Sequence, residues 1–165
     1  MLSSVRELSA IIKGLAKRRK EKEKEVAVLV DGPNILRKDL SPQVDLSDIF
    51  RIASNYGRIR VAKVILNKYA SDKLIDAVSN TGFTPIVTPG KVEVSLTMEA
   101  MDIISNDQID VIVFVVRDAG YAPLLALAKE RGKDVVVIGS EPGFSVALRK
   151  TADETINLSE IAARA

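Results

Sequence analysis

The stretch VIVFVVRDAGYAPLL, Val111 to Leu125, decides the fold. Its six successive apolar residues, Val111 to Val116, are too few to span a bilayer and too continuous for a strand with one wet face. They read as a strand over 110–116 that is buried on both sides, as in a parallel sheet covered by helices. The run ends abruptly in Arg117 and Asp118, with Gly120 two residues on, and an apolar-periodic helix follows from about Ala122 to Glu130.

Working outward, the same form recurs at VAVLV (26–30), which ends in DGPNIL. Gly32 and Pro33 demand a tight turn, and Asn34 places an amide beside Asp31. This also fits a turn with a helix cap. Further strands are expected at 59–67, 84–88 and 134–139, with an edge strand in ETINL (154–158). Helices are expected at 45–56, 71–80 and 143–150. Another is expected at 94–105, with Met98, Met101 and Ile104 inside. Alternation of this kind predicts a three-layer α/β/α sandwich around a mainly parallel sheet of five to six strands.

Two regions stand out along the chain. Residues 3–16 have the spacing of an amphipathic helix (Val5, Leu8, Ile11, Ile12, Leu15), and KRRKEKEKE (17–25) follows it. Residues 1–25 thus form a basic amphipathic helix or arm, and 26–165 a single folded body. The basic side chains Lys17, Arg18 and Arg19 suit either a solvated helical extension or contact with a polyanion. A homodimer through this helix or an exposed strand edge is an open alternative.

The 165 residues are 47% hydrophobic and 28% charged, as expected of a globular domain. The chain has neither Cys nor His. That excludes disulfides, the usual zinc sites, thiol nucleophiles and any Ser-His-Asp triad. With no secretory pattern and no membrane-length apolar run, cytoplasmic residence is expected. GSEPGFS (139–145) does not match GxGxxG, and GxxxxGK[ST] and GxSxG are absent.

Any catalysis would therefore fall to carboxylates, Lys, Tyr, Ser or Thr, or a hard metal bound by oxygen. Sites in open α/β sheets form at the carboxyl ends of strands, where the strand order reverses. Asp31 and Asp118 hold that position on two strands, and a divalent cation would relieve their repulsion. Glu99 lies among Leu96, Met98, Ala100 and Met101, so it points either out or into a polar or metal site. Glu93, Asp102 and Asp153 are candidate accessory acids. Lys68, after the 59–67 strand, and Arg117 could face a phosphate. Oxygen-only ligands suit Mg²⁺ or Mn²⁺, which can activate water and steady charge on phosphorus.

VAVLVDGPNILRK, VEVSLTMEAMDII, VIVFVVRDAGYAPLL and GKDVVVIGSEPGFSVALRKTADETINL together resemble the NYN domain family of the PIN-like nuclease superfamily. The likeness runs over about residues 26–158 and is strongest to short archaeal stand-alone members. It implies a PIN-like sheet of order 3-2-1-4-5 and metal-dependent cleavage of RNA. Asp31, Asn34, Glu99 and Asp118 fall on the family's catalytic positions, with Asp31, Glu99 and Asp118 as metal ligands. The family pattern continues after Asp118 as D-x-D, and here the second acid is Gly120. The acid before the central helix is commonly Asp and is here Glu93. The resemblance thus implies a Mg²⁺/Mn²⁺ ribonuclease, with a catalytically weakened RNA-binding or regulatory module as the alternative.

Overall fold

The computed structural model describes residues 5–20 and 23–164, without the side chains of 15–20 and 164. Six strands form one sheet: β1 (Glu25–Asp31), β2 (Arg58–Asn67), β3 (Thr84–Thr88), β4 (Val111–Val115), β5 (Asp134–Gly139) and β6 (Glu154–Asn157). Their order is β3-β2-β1-β4-β5-β6, and every neighbouring pair is parallel. The expected order holds, and β6 extends it beyond β5. Pro85 sits in the edge strand β3, where a missing N–H is tolerated.

The central strands β1 and β4 are buried on both faces because helices cover each side. One core joins Ala27, Leu29, Ile112 and Phe114 to α5 (Val92–Ile104), α6 (Ala122–Glu130) and α7 (Val146–Thr151). The other joins Val26, Val28, Val30 and Val113 to α3 (Leu46–Ser54) and α4 (Asp72–Asn80). Caps set two of these starts: Asp45 accepts from the Ser47 amide, and Ser71 from the Leu74 amide. Two short helices, α2 (Gly32–Ile35) and α8 (Leu158–Arg164), complete the fold.

Helix α5 corrects one expectation. Met98 and Met101 are 66% and 39% exposed, whereas Val92, Leu96, Ala100, Ile103 and Ile104 face the sheet. The helix carries two apolar stripes at helical spacing, and the one with the smaller and branched side chains meets the strands.

At the N-terminus, α1 (Val5–Lys20) continues past the apolar stripe into the start of the basic segment. Its Val5, Leu8, Ile11 and Ile12 are exposed. The side chains of Lys17, Arg18 and Arg19 lie outside the described residues. No helix among the described residues is long and apolar enough to cross a membrane.

Candidate active site

Asp31 ends β1 at the point where the strand order reverses, with β2 on one side and β4 on the other. The chain must leave the strand at once, because Gly32 lies against β2. A Cβ at that position would come within 2.5 Å of the Ile65 carbonyl oxygen. Glycine therefore allows α2 to start directly on the strand mouth, and Pro33 presets its first turn. Only 1% exposed, Asp31 accepts hydrogen bonds at Oδ2 from Asn34 Nδ2 (2.9 Å) and the Tyr121 hydroxyl (2.8 Å). Burial raises its pKa above the ordinary carboxylate value, although these two donors oppose the shift. No ion pair among the described residues neutralises it.

Asp118 sits past the end of β4, exposed, and its Oδ1 accepts from the Gly120 amide at 2.8 Å. That bond caps a turn of 3-10 helix, Ala119–Tyr121, which carries Tyr121 inward. Tyr121 is 3% exposed. Burial first, and then the charge of Asp31, push its pKa far above the ordinary tyrosine value, and Glu93 and Asp118 add to the effect. The hydroxyl therefore stays protonated and serves as a donor to Asp31. Sequence reasoning missed this residue. The available signal was a tyrosine three residues past a strand-end aspartate, one of only three in the chain.

Arg117 is not the exposed phosphate contact expected from sequence. It is 6% exposed, and its Nε donates to the Asn34 carbonyl at 3.0 Å while Nη1 donates to the Pro142 carbonyl. It ties the β1–α2 turn to the loop after β5. Gly143 (φ +84°) lets that loop close, since a Cβ there would stand 3.2 Å from Arg117 Nη1. Burial, then the nearby Arg37 charge, lower the Arg117 pKa from its ordinary value.

The remaining acids separate. Glu93, in the first turn of α5, is exposed and close enough for its charge to act on both Asp31 and Tyr121. Glu99 pairs instead with Lys63 Nζ at 2.6 Å. Six residues apart, the two side chains are about 120° apart round the helix and about 9 Å apart along it, so they face different neighbours. Asp102 is exposed on α5, and its expected role gains no partner in the site. Asp153 is at the opposite, amino end of the sheet, where it accepts from the Val135 amide at 2.8 Å and pairs with Lys129 at 3.4 Å. Its position removes it as an accessory acid.

Among the described residues no three acidic side chains converge as a metal cage, so Glu99 is not brought together with Asp31 and Asp118 for that purpose. Mg²⁺, however, usually keeps several waters and takes only one or two protein carboxylates. Asp31 and Asp118, at the ends of the neighbouring strands β1 and β4, are two carboxylates and fit that water-rich mode. Lys68 and Tyr69 follow the carboxyl end of β2, both exposed, with the ammonium 5.3 Å from the ring centroid.

Comparison with known proteins bears on this geometry. The NYN domain family matches residues 25–159. An uncharacterized protein of Methanocaldococcus jannaschii, MJ0482, is 47% identical over 143 residues. The match covers 87% of this chain and 59% of that relative, so the chain spans 59% of the relative's length. A crystal structure of a protein of unknown function from Vibrio parahaemolyticus, VPA0982, aligns with a TM-score of 0.73 at 21% identity. It covers 82% of this chain and 93% of that one, which supports the fold alone.

Proposed function

The chain belongs to the NYN domain family, a PIN-like nuclease family, and we propose that it is a Mg²⁺- or Mn²⁺-dependent ribonuclease centred on Asp31. One observation carries the reading. Asp31 is a buried carboxylate at the switch point, held by two donors and neutralised by no ion pair among the described residues. Keeping such a group costs stability, and it is retained where its charge has work to do.

Asp31 and Asp118 would hold the cation, with waters in its remaining positions and Glu93 near enough to act through one of them. When bound, it would supply an activated water and stabilise charge on the phosphoryl oxygens. The chain's own residues do the positioning. Tyr121 and Asn34 fix Oδ2 of Asp31. Asn34 gives one side-chain N–H to Asp31, and its second side-chain N–H can meet a water or a phosphate oxygen while its side-chain Oδ1 can accept from a water. Lys68 offers a phosphate contact, and Tyr69 a face on which a base can stack. We assign residues 1–25, with Lys17, Arg18 and Arg19, as a basic arm that adds non-specific attraction for RNA, and 26–165 as the catalytic domain.

A second reading is an RNA-binding module without turnover. Gly120 favours it, because the position of the family's second acid is an exposed glycine. Labelled single-stranded and structured RNAs incubated with Mn²⁺ separate the two. Cleavage by the wild type that Asp31→Asn reduces by a factor of at least about 100 is expected of the ribonuclease. Equal trace cleavage by both proteins rejects it.

A further inference from the structure

Next to Asp31, on the side of β4 and β5, the carboxyl edge holds a cavity of about 540 Å³ whose lining includes Asn34, Arg37, Arg117, Asp118, Pro142 and Ser145. Its lining carries both signs of charge, the carboxylate of Asp118 and the guanidinium groups of Arg37 and Arg117. Arg117 is fixed there by neutral carbonyls and has no ion pair among the described residues. Arg37 is exposed and held by Asp39, with Nε to Oδ1 at 2.8 Å and Nη2 to Oδ2 at 2.5 Å. An exposed pair of this kind is weak, so an incoming anion can displace Asp39 readily.

The cavity walls are braced. Ser41 and Glu141 form an antiparallel bridge between the loops after α2 and β5. The Ser145 amide donates to the Arg117 carbonyl at 3.0 Å, and the Ser145 hydroxyl accepts from the Ala147 amide at 3.1 Å. That hydroxyl keeps its own proton to donate into the cavity. Two like charges facing one space repel, and a phosphate between them removes the repulsion while forming charge-assisted hydrogen bonds.

We propose that Arg37 and Arg117 seat a backbone phosphate of the RNA strand in this cavity, next to the one held at Asp31. Arg37 makes the direct contact, and Arg117 supplies fixed positive charge behind it. This rests on the ribonuclease reading and gives the strand a path along the carboxyl edge. The path runs from Lys68 and Tyr69 past Asp31 and Asp118 to Arg37, across strands at the usual spacing of roughly 4.8 Å.

The test is fluorescence anisotropy with a labelled single-stranded oligoribonucleotide in EDTA, titrated with KCl. Arg37→Ala is expected to bind about five-fold more weakly at 0.1 M salt, and its salt slope to flatten by about 0.7, the value of one single-strand phosphate contact. Asp39→Ala, which frees Arg37, tightens binding. Lys38→Ala, whose side chain borders a different cavity, leaves binding unchanged. The proposal is overturned if Arg37→Ala keeps wild-type affinity and slope, or if Lys38→Ala weakens binding as much. RNA cleavage by wild type with no Arg37 effect removes the subsite and leaves the ribonuclease standing. An Arg37-dependent affinity with no Mn²⁺-dependent cleavage does the reverse.

Discussion

Replacing Asp31 by Asn should make the protein more stable at neutral pH while removing its activity. Folded Asp31 has a pKa above the ordinary 3.8 because burial disfavours its charge more than its hydrogen bonds favour it. Between 3.8 and the raised folded value, the folded chain binds more protons than the unfolded chain. Stability therefore falls as pH rises through that window, and the full cost is present above it. Asparagine keeps an oxygen for the Tyr121 and Asn34 side-chain donors but carries no charge. Relief of the charged group's desolvation is worth about 1–3 kcal/mol, and the weaker bonds that a neutral amide accepts from Asn34 and Tyr121 return about 1. A net gain of about 1 kcal/mol at pH 7 is expected, and it is lost toward about pH 3, where Asp31 is mostly protonated in both states. Urea unfolding of both proteins at pH 7 and about pH 3, in EDTA, measures the difference. Adding Mg²⁺ should then stabilise wild type by about 1.4 kcal/mol at ten times the dissociation constant and leave Asp31→Asn unmoved. A variant that is less stable than wild type at pH 7 would refute the reasoning, because Asp31 would then be a structural cap.

Three further outcomes follow from the same geometry. Gly120→Asp restores the D-x-D spacing, and its Cβ meets only Asp118, at 3.4 Å. Calorimetry should show Mn²⁺ binding tightened by roughly 10-fold or more, and unchanged affinity would place the 119–121 turn outside the metal site. Glu93→Gln should lower cleavage well beyond Glu99→Gln, because Glu93 acts on Asp31 while Glu99 is paired with Lys63; equal losses would restore Glu99 as a ligand. Arg117→Ala strands the Asn34 and Pro142 carbonyls and should cost about 2–3 kcal/mol in urea unfolding, whereas a loss below about 0.5 would remove it as a clamp.

Much of the fold was legible because its strands are continuous apolar runs with abrupt polar ends. Val26 to Val30 and Val111 to Val116 can only be buried on both sides, and that alone demands helices above and below. What periodicity could not choose was the face of α5. Val92, Leu96, Ala100 and Ile103 repeat at helical spacing, and so do Val94, Met98 and Met101. Only the sheet it packs on distinguishes them, so the methionines were placed inside and are found outside.

The site divides along the same line between local and distant information. Asp31 and Asp118 were readable because a carboxylate ending an apolar strand is a local anomaly. The partners that set each group's chemistry are remote in sequence: Tyr121 is 90 residues from Asp31, Lys63 is 36 from Glu99, and the Asn34 carbonyl is 83 from Arg117. Motif spacing could place Glu99 and Arg117 near the strand ends but could not show that one is already neutralised and the other already spent on backbone carbonyls. The two aspartates are also unequal. Asp31 is buried and constrained, while Asp118 is exposed and held only by its own turn. In the proposed site, buried Asp31 would fix where a cation sits, and the neighbourhood of Asp118 and Gly120 would set how firmly it is held. Gly120 lies on the adjustable side of that division, so its missing carboxylate affects affinity before it affects geometry.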